Sequence, residues 1–249
     1  MGRYYGMLCW VVFAFSPGAI QAQQSGYAPP LTIAVVNHSA AVSDQDAARW
    51  TAAIAVQVHE HLAPVWKIDA NIVFGEPASA DTWVCTLEDR ADPESTLVLG
   101  THRVGDDGKP TCSVSAGLII GSQLGAVSQT LSHEILEMLI DPWLSNVTFA
   151  GAGNPNSATV YLREICDPVA AYPYDINGVA VADFTYPQFW TGGFPGAGAP
   201  LDRLGIATMS LQPTAHSYML IRYITTFGGI NSLLAWNYVW GSYCLLGPC

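Results

Sequence analysis

The stretch 125–142 most constrains how this chain can fold, because its pattern is that of a helix that is apolar around most of its circumference. Such a helix must be buried. At about 100° per residue, His133, Glu134, Glu137 and Asp141 fall within one sector of roughly 100°. Buried carboxylates need a partner, and a metal ion is a partner that suits an imidazole beside carboxylates. The sequence therefore predicts a buried helix with one metal-ligating sector.

The polar sector contains the pentapeptide H-E-I-L-E at 133–137. In H-E-x-x-H helices, two histidines one turn apart hold zinc and the glutamate acts as a general base. Glu137 takes the place of the second histidine on the same face, and a carboxylate is an acceptable oxygen ligand. We therefore predict that His133 and Glu137 bind a divalent metal and that Glu134 is the catalytic base. An ordinary amphipathic helix with a polar edge is the alternative interpretation.

A second group of acidic residues follows the apolar run 160–162, in the segment E-I-C-D-P at 164–168. A catalytic zinc site has three protein ligands and one open position. Either Glu164 or Asp167 is expected to be the third metal ligand, with the other orienting a ligand. The alternative is that Asp167 and Pro168 only begin a turn.

Hydrophobic periodicity along the chain predicts an α+β fold. The first helix has a Ser43/Asp46 capping box and ends before Pro64. Its His59 and His61 are interpreted as solvated surface residues, because adjacent helical positions point apart. Strands are predicted at 31–36, 68–74, 82–87, 96–103 and 111–116.

The composition changes after Pro142, where glycine, proline and aromatic residues dominate from 151 to 200. This predicts a second, loop-rich subdomain. The expected organisation is a signal peptide at 1–22, an N-terminal subdomain with the metal-binding helix at 23–142, and a loop-rich C-terminal subdomain at 143–249.

The first 22 residues have the pattern of a secretion signal. Arg3 provides the positive start, an apolar stretch follows at 7–15, and small residues precede an expected cut after Ala22. We therefore expect a secreted, extracellular or periplasmic protein. The uncharged C-terminal segment is interrupted by polar residues, so a buried segment is predicted there and a membrane span is not.

The net charge of the chain bears on whether it binds nucleic acid. The formal net charge is −11, which argues against nucleic-acid binding, since that requires basic patches.

Disulfides are plausible in an oxidising compartment. Cys85 and Cys112 are the favoured pair, because they lie on two strands predicted for one sheet, and Cys244 with Cys249 would close a short terminal loop.

Several segments carry a family resemblance. The helix at 130–137 resembles the catalytic half of zincin metallopeptidases. More closely, the chain resembles an uncharacterised group of bacterial and phage proteins with an H-E-x-x-E helix. The matching segments are 99–102, 108–110, 132–142, 164–168 and 181–184. The helix and the segment 164–168 are the specific parts.

The resemblance implies a zincin-like mixed sheet with a backing helix and an active-site helix. It also implies a metal held by His133 and Glu137, with Glu134 as base. In the gluzincin pattern a glutamate ligand is followed three residues later by a supporting aspartate, and Glu164 and Asp167 match that spacing. Zinc is the expected ion, with manganese or iron as alternatives, because oxygen-rich ligation selects weakly among them.

Two functions follow from these observations. The first is a secreted metallopeptidase that hydrolyses a peptide or protein substrate lying along the strand at 96–103. His216 and Tyr218 are candidates to stabilise the oxyanion. The second is a catalytically inactive zincin-like binding protein with a structural or absent metal. Serine-hydrolase, P-loop and dinucleotide motifs do not occur in the sequence.

The pattern also predicts the effect of one substitution. Glu137→His would recreate the two-imidazole face that suits zinc, so the sequence predicts tighter zinc binding by that variant.

Overall fold

The computed structural model describes residues 31–91, 98–123, 125–150, 157–191, 198–225, 230–237 and 242–245. The expected secretion signal and Cys249, the suggested partner of Cys244, lie outside the described residues.

A five-stranded mixed sheet forms the first half of the molecule, which confirms the α+β class. Its strands run in the order β2-β1-β3-β5-β4, and all of them are parallel except the edge strand β4. Each of the five lies within a few residues of a predicted strand. Their bounds are Thr32–Asn37 (β1), Asn71–Phe74 (β2), Trp83–Glu88 (β3), Gly100–Val104 (β4) and Pro110–Ser115 (β5).

The first helix begins where capping chemistry indicates. Ser43 accepts a hydrogen bond from the Asp46 backbone N–H and so caps the first helix, as its capping box predicts. This helix continues through a π-helical segment, Gln57–Leu62, into a further short turn of α-helix. The helical bounds are Asp44–Val56 (α1), Ala63–Trp66 (α2), Ala116–Ser122 (α3) and Val127–Ile140 (α4).

The π-helical segment contains His59 and His61, which were both predicted to be solvated. The prediction holds for one of them. His59 is exposed, with its Nδ1 2.8 Å from Asp69 Oδ2. His61 is half-buried, and its Nδ1 lies 2.9 Å from the Tyr174 hydroxyl. The solvated interpretation is therefore wrong for His61, because a strand from the C-terminal half packs beside it.

The C-terminal half contains more regular structure than its composition predicts. A second sheet, entirely antiparallel, has the order β12-β11-β10-β7-β6, and a separate hairpin joins β8 to β9. The strand bounds are Val147–Ala150 (β6), Ser157–Leu162 (β7), Pro173–Ile176 (β8), Val179–Ala182 (β9), Tyr218–Thr225 (β10), Ile230–Asn237 (β11) and Ser242–Leu245 (β12).

The helix α4 lies between the first sheet and the hairpin, and it is buried as predicted. Leu131, Ile135 and Leu136 are completely buried. On the hairpin side, Ser132 Oγ accepts a hydrogen bond from the Ala182 backbone N–H at 2.6 Å. The sheet and the hairpin thus enclose α4 from two directions, which leaves one sector for its polar side chains.

A disulfide between Cys85 and Cys112 connects β3 to β5, where the two residues are direct partners in the strand register. This confirms the favoured pair. Within the described ranges, no helix is long and apolar enough to cross a bilayer.

Candidate metal centre

The polar sector of α4 meets the segment that follows β7. His133 Nε2 lies 3.0 Å from Glu137 Oε2 and 3.1 Å from Asp167 Oδ1. The side chains of Glu137 and Asp167 are each 4% exposed, whereas that of His133 is 13% exposed. Two predicted ligands from one helical turn therefore converge with a third from a distant segment.

Backbone amides hold the Glu137 carboxylate in this position. Its Oε1 accepts hydrogen bonds from the N–H groups of Cys166, at 3.0 Å, and Asp167, at 3.3 Å. These amides point at α4 because a 3-10 turn, Asp167–Val169, begins here with Pro168 near its start. The other oxygen, Oε2, is thereby directed towards His133.

The two distances measured from His133 Nε2 suit ligands of one metal ion. Ligands bound at about 2.0–2.1 Å around one tetrahedral zinc lie roughly 3.3 Å apart, close to the separations from His133 Nε2. Cys166 is buried beside them, with donor atoms of His133, Glu137 and Cys166 all within 4.8 Å of one another. Burial and nearby carboxylates raise the pKa of the Cys166 thiol well above its usual value. The thiol is thus neutral without an ion.

The edge strand β4 contributes a histidine that sequence analysis did not select. His102 Nδ1 lies 3.7 Å from Glu134 Oε2, and its Nε2 lies 3.6 Å from Glu164 Oε2. The His102 and Glu164 side chains are each 5% exposed. His102, Glu137 and Glu164 also have donor atoms within 4.8 Å of one another. Glu164 therefore faces His102, and Asp167 faces His133.

Gly100 makes room for the predicted base. Glu134 is 6% exposed, and a Cβ atom at Gly100 would lie only 2.7 Å from Glu134 Cγ. Van der Waals contact between two carbon atoms requires about 3.5 Å or more. A side chain at position 100 is therefore incompatible with the observed position of Glu134.

The site concentrates negative charge in a buried environment. Burial, with the charges of Glu137 and Asp167, raises the pKa of Glu164 well above its ordinary value. Burial and then Glu137 raise the pKa of Asp167 to about 6. Burial lowers the pKa of His133, but the surrounding carboxylates outweigh it and the net change is well upward. Each of these shifts indicates a position that favours a cation.

Tyr218 belongs to the site, whereas Asp141 and His216 have other surroundings. The Tyr218 hydroxyl hydrogen-bonds with the Asp167 carboxylate, although 37% of the residue is exposed. His216 is exposed. Asp141 Oδ1 accepts hydrogen bonds from the backbone N–H groups of Ser145 and Asn146, so it stabilises the loop after α4.

Comparisons with family models, with curated proteins and with solved structures found no match to this chain. The resemblance to zincins therefore remains a prediction.

All five predicted site residues lie in one place: His133, Glu134, Glu137, Glu164 and Asp167. His102 and Cys166 were not predicted from the sequence. Tyr218 was a candidate for the oxyanion, and its contact with Asp167 was not predicted. His102 was detectable in principle, because the segment 99–102 is one of those that carry the family resemblance. These buried His, Glu and Cys groups can hold a metal ion.

Proposed function

We propose that this protein is a secreted, zincin-like metallopeptidase. The observation that carries the proposal is the convergence of His133 Nε2, Glu137 Oε2 and Asp167 Oδ1, with Glu134 on the next position of the same helix. Those three atoms would hold the ion, and Glu164 is directed elsewhere. Zinc is the first candidate, with manganese or iron as alternatives. When bound there, a divalent ion supplies Lewis-acid polarisation of a scissile carbonyl and lowers the pKa of water.

Glu134 is the proton-transfer group in this proposal. Its carboxylate, held between Gly100 and His102, accepts the proton of the attacking water and returns it to the leaving amine. Asp167 is oriented by the Tyr218 hydroxyl, and Glu137 by two backbone amides. The reacting groups thus have fixed positions before substrate binds, which lowers the entropic part of the barrier.

The edge strand β4 offers a place for the substrate backbone. Ser115 N–H donates to Leu99 O, and Gly105 N–H donates to Lys109 O. In an antiparallel pair the bonded residues alternate, so the main chains of Gly100, His102 and Val104 point away from β5. Among the described residues, β5 is the only strand paired with β4. An extended peptide that adds to this edge would pass directly beside Glu134.

The test is cleavage of a mixed peptide library by the purified full-length protein, with products identified by mass spectrometry. Glu134→Gln removes the proton acceptor with almost no change in size, so we expect the rate to fall about 10²–10⁴-fold. Metal content and thermal stability should be retained. Glu60→Gln, at an exposed position of the first helical region, is the matched control and should keep full activity. Full activity in Glu134→Gln would refute the mechanism.

One observation favours a second candidate, a binding protein without turnover. The residues Glu134, Glu137, Glu164 and Asp167 are only 3–6% exposed, which is the burial expected of a structural metal site. In a structural site protein atoms fill every coordination position of the metal, whereas a catalytic site leaves one position for water or substrate. X-ray absorption of the zinc-loaded protein distinguishes the two. Ligation by protein atoms alone, together with no cleavage in the library assay, would support the binding protein.

A further inference from the structure

We infer that the centre binds two divalent ions, and that the second is held by His102 Nε2, Glu164 Oε2 and Glu137. This inference rests on the proposed metal centre and extends it. The first ion lies with His133 and Asp167, and Glu137 lies between the two positions.

Two buried polar atoms point to the second position. His102 Nε2 and Glu164 Oε2 have no hydrogen-bond partner among the described residues. Both side chains are 95% buried, since each is 5% exposed. Unpaired polar atoms at such depth are costly, so native proteins seldom leave them without a partner. An ion between them would satisfy both atoms at once.

The distance between the two atoms agrees with a shared ion. They lie 3.6 Å apart, which is too long for a hydrogen bond. Two ligands bound to one zinc at about 2.0–2.1 Å lie roughly 3.3 Å apart. Because Glu137 also has a donor atom within 4.8 Å of both, small side-chain shifts would complete a set of three ligands.

The second ring nitrogen of His102 is placed as expected for a metal ligand. Its Nδ1 faces Glu134 Oε2 at 3.7 Å. A histidine that binds a metal through one nitrogen almost always directs the other N–H at a carboxylate, a carbonyl or water. A small shift that brought Nδ1 within hydrogen-bond distance of this carboxylate would fix the ring plane and leave Nε2 for the ion.

Charge balance also favours two ions. Glu134, Glu137, Glu164 and Asp167 carry four negative charges when ionised, and their ion-pair partners within the described part of the chain are the histidines His102 and His133. Metal-bound histidines are neutral. One divalent ion would therefore leave two of these four charges uncompensated, and two divalent ions would leave none of the four. Asp141, a fifth buried carboxylate nearby, also interacts with Arg163. Adjacent ions about 3.5–4 Å apart with a shared carboxylate are a known arrangement in hydrolytic enzymes.

The experiment is a metal count on the full-length protein. The purified protein is stripped with a chelator, titrated with Zn²⁺ or Mn²⁺ against a competing chelator, and analysed for bound metal. We expect two equivalents in the parent protein and one in His102→Gln or Glu164→Gln. His59→Gln, which replaces an exposed histidine, is the control and should still bind two. Electron paramagnetic resonance of the Mn²⁺-loaded parent should show spin coupling between neighbouring ions.

The outcomes separate this inference from the proposed function. One equivalent in the parent, unchanged in His102→Gln, with an uncoupled Mn²⁺ signal, would overturn the second position while leaving a single-ion peptidase intact. No bound metal in the parent would overturn both proposals. If His102→Gln fails to fold, Glu164→Gln and the spin coupling of the parent decide the question.

Discussion

Glu137 links α4 to the segment that follows β7, because its two carboxylate oxygens have different partners. Oε1 accepts the Cys166 and Asp167 amides, and Oε2 faces His133. A carboxylate is suited to this position because it accepts several hydrogen bonds and still offers a lone pair to a metal. A neutral imidazole has one nitrogen that can accept, and if that nitrogen binds a metal it cannot also accept the amide hydrogen bonds. The other nitrogen carries N–H and is a donor. The departure from a second histidine in this helix therefore has a structural reason.

This arrangement changes the expectation for Glu137→His. The substitution leaves two buried backbone N–H groups without their acceptor, so we expect a loss of about 2 kcal/mol in unfolding free energy and a Tm roughly 4–8 °C lower. We also expect zinc affinity no higher than that of the parent, contrary to the prediction from the sequence pattern. Calorimetry and competitive chelation measure the two effects. Tighter zinc binding at unchanged Tm would show that the amide contacts are dispensable.

Gly100→Ala tests the contact between β4 and the base. The added methyl group would displace the Glu134 carboxylate, so we expect peptide cleavage to fall at least about tenfold and stability to fall by about 1–3 kcal/mol. Gly121→Ala is the matched control, because nothing lies within 4 Å of the Cβ position there. It should be neutral or slightly stabilising, since alanine favours a helix. Equal activity in both variants would contradict the proposed role of Glu134.

At the level of secondary structure, the helix α4 and the edge strand β4 each contribute side chains to the candidate site. The helix presents His133, Glu134 and Glu137 from consecutive turns of one face. The strand presents His102 from the side, and the main chains of its alternate residues point away from β5, its one strand neighbour in the described part of the chain. His102 and the Cβ position of Gly100 both lie on the side of β4 that approaches Glu134 of α4.

Val104→Pro tests whether substrate adds to the β4 edge. Val104 N–H points away from β5, so proline removes a hydrogen bond to the substrate and none within the sheet. We expect KM for an extended peptide to rise several-fold with little change in Tm. Arg103→Pro is the contrasting variant. It removes a hydrogen bond to β5 and should lower Tm clearly. An unchanged KM in Val104→Pro would exclude strand addition at this edge.

For the whole molecule, the buried charges link stability to pH and to metal. The pKa of Asp167 is about 6 in the folded protein, above the value near 3.9 of an unfolded chain. Between these values the folded state holds more protons than the unfolded state, so stability falls as pH rises. The raised pKa of His133 acts in the same direction above about pH 6.5.

We therefore expect the chelated protein to lose stability as pH rises from about 4 to 7. A bound divalent ion replaces those protons and should remove this loss. At a free metal concentration about 100 times Kd it should add roughly 2.7 kcal/mol. Denaturant unfolding with Zn²⁺ and with chelator, at several pH values, provides the measurement. Parallel pH profiles in the two conditions would show that no ion binds at these carboxylates.

Local patterns in the sequence were sufficient for α4, for the Ser43 cap and for the strands of the first sheet. Each of these depends on residues a few positions apart, whose periodicity records which face is buried. The same reasoning located His133, Glu134 and Glu137, because residues one turn apart share a helical face. Glu164 and Asp167 were predicted as alternatives because a catalytic zinc site needs a third protein ligand, and not from periodicity.

Only the tertiary structure decided which residues from distant parts of the chain lie next to one another. The 3-10 turn beginning at Asp167 directs that residue to His133, while Glu164 faces His102 on β4. His61 is covered by Tyr174, and Tyr218 reaches Asp167, across more than fifty positions of chain in each case. No local periodicity records such contacts, because they arise only when the hairpin and the second sheet pack against the first. The sequence by itself thus determined the elements and the polar sector of the helix, and the packing of distant segments determined which side chains lie beside that sector.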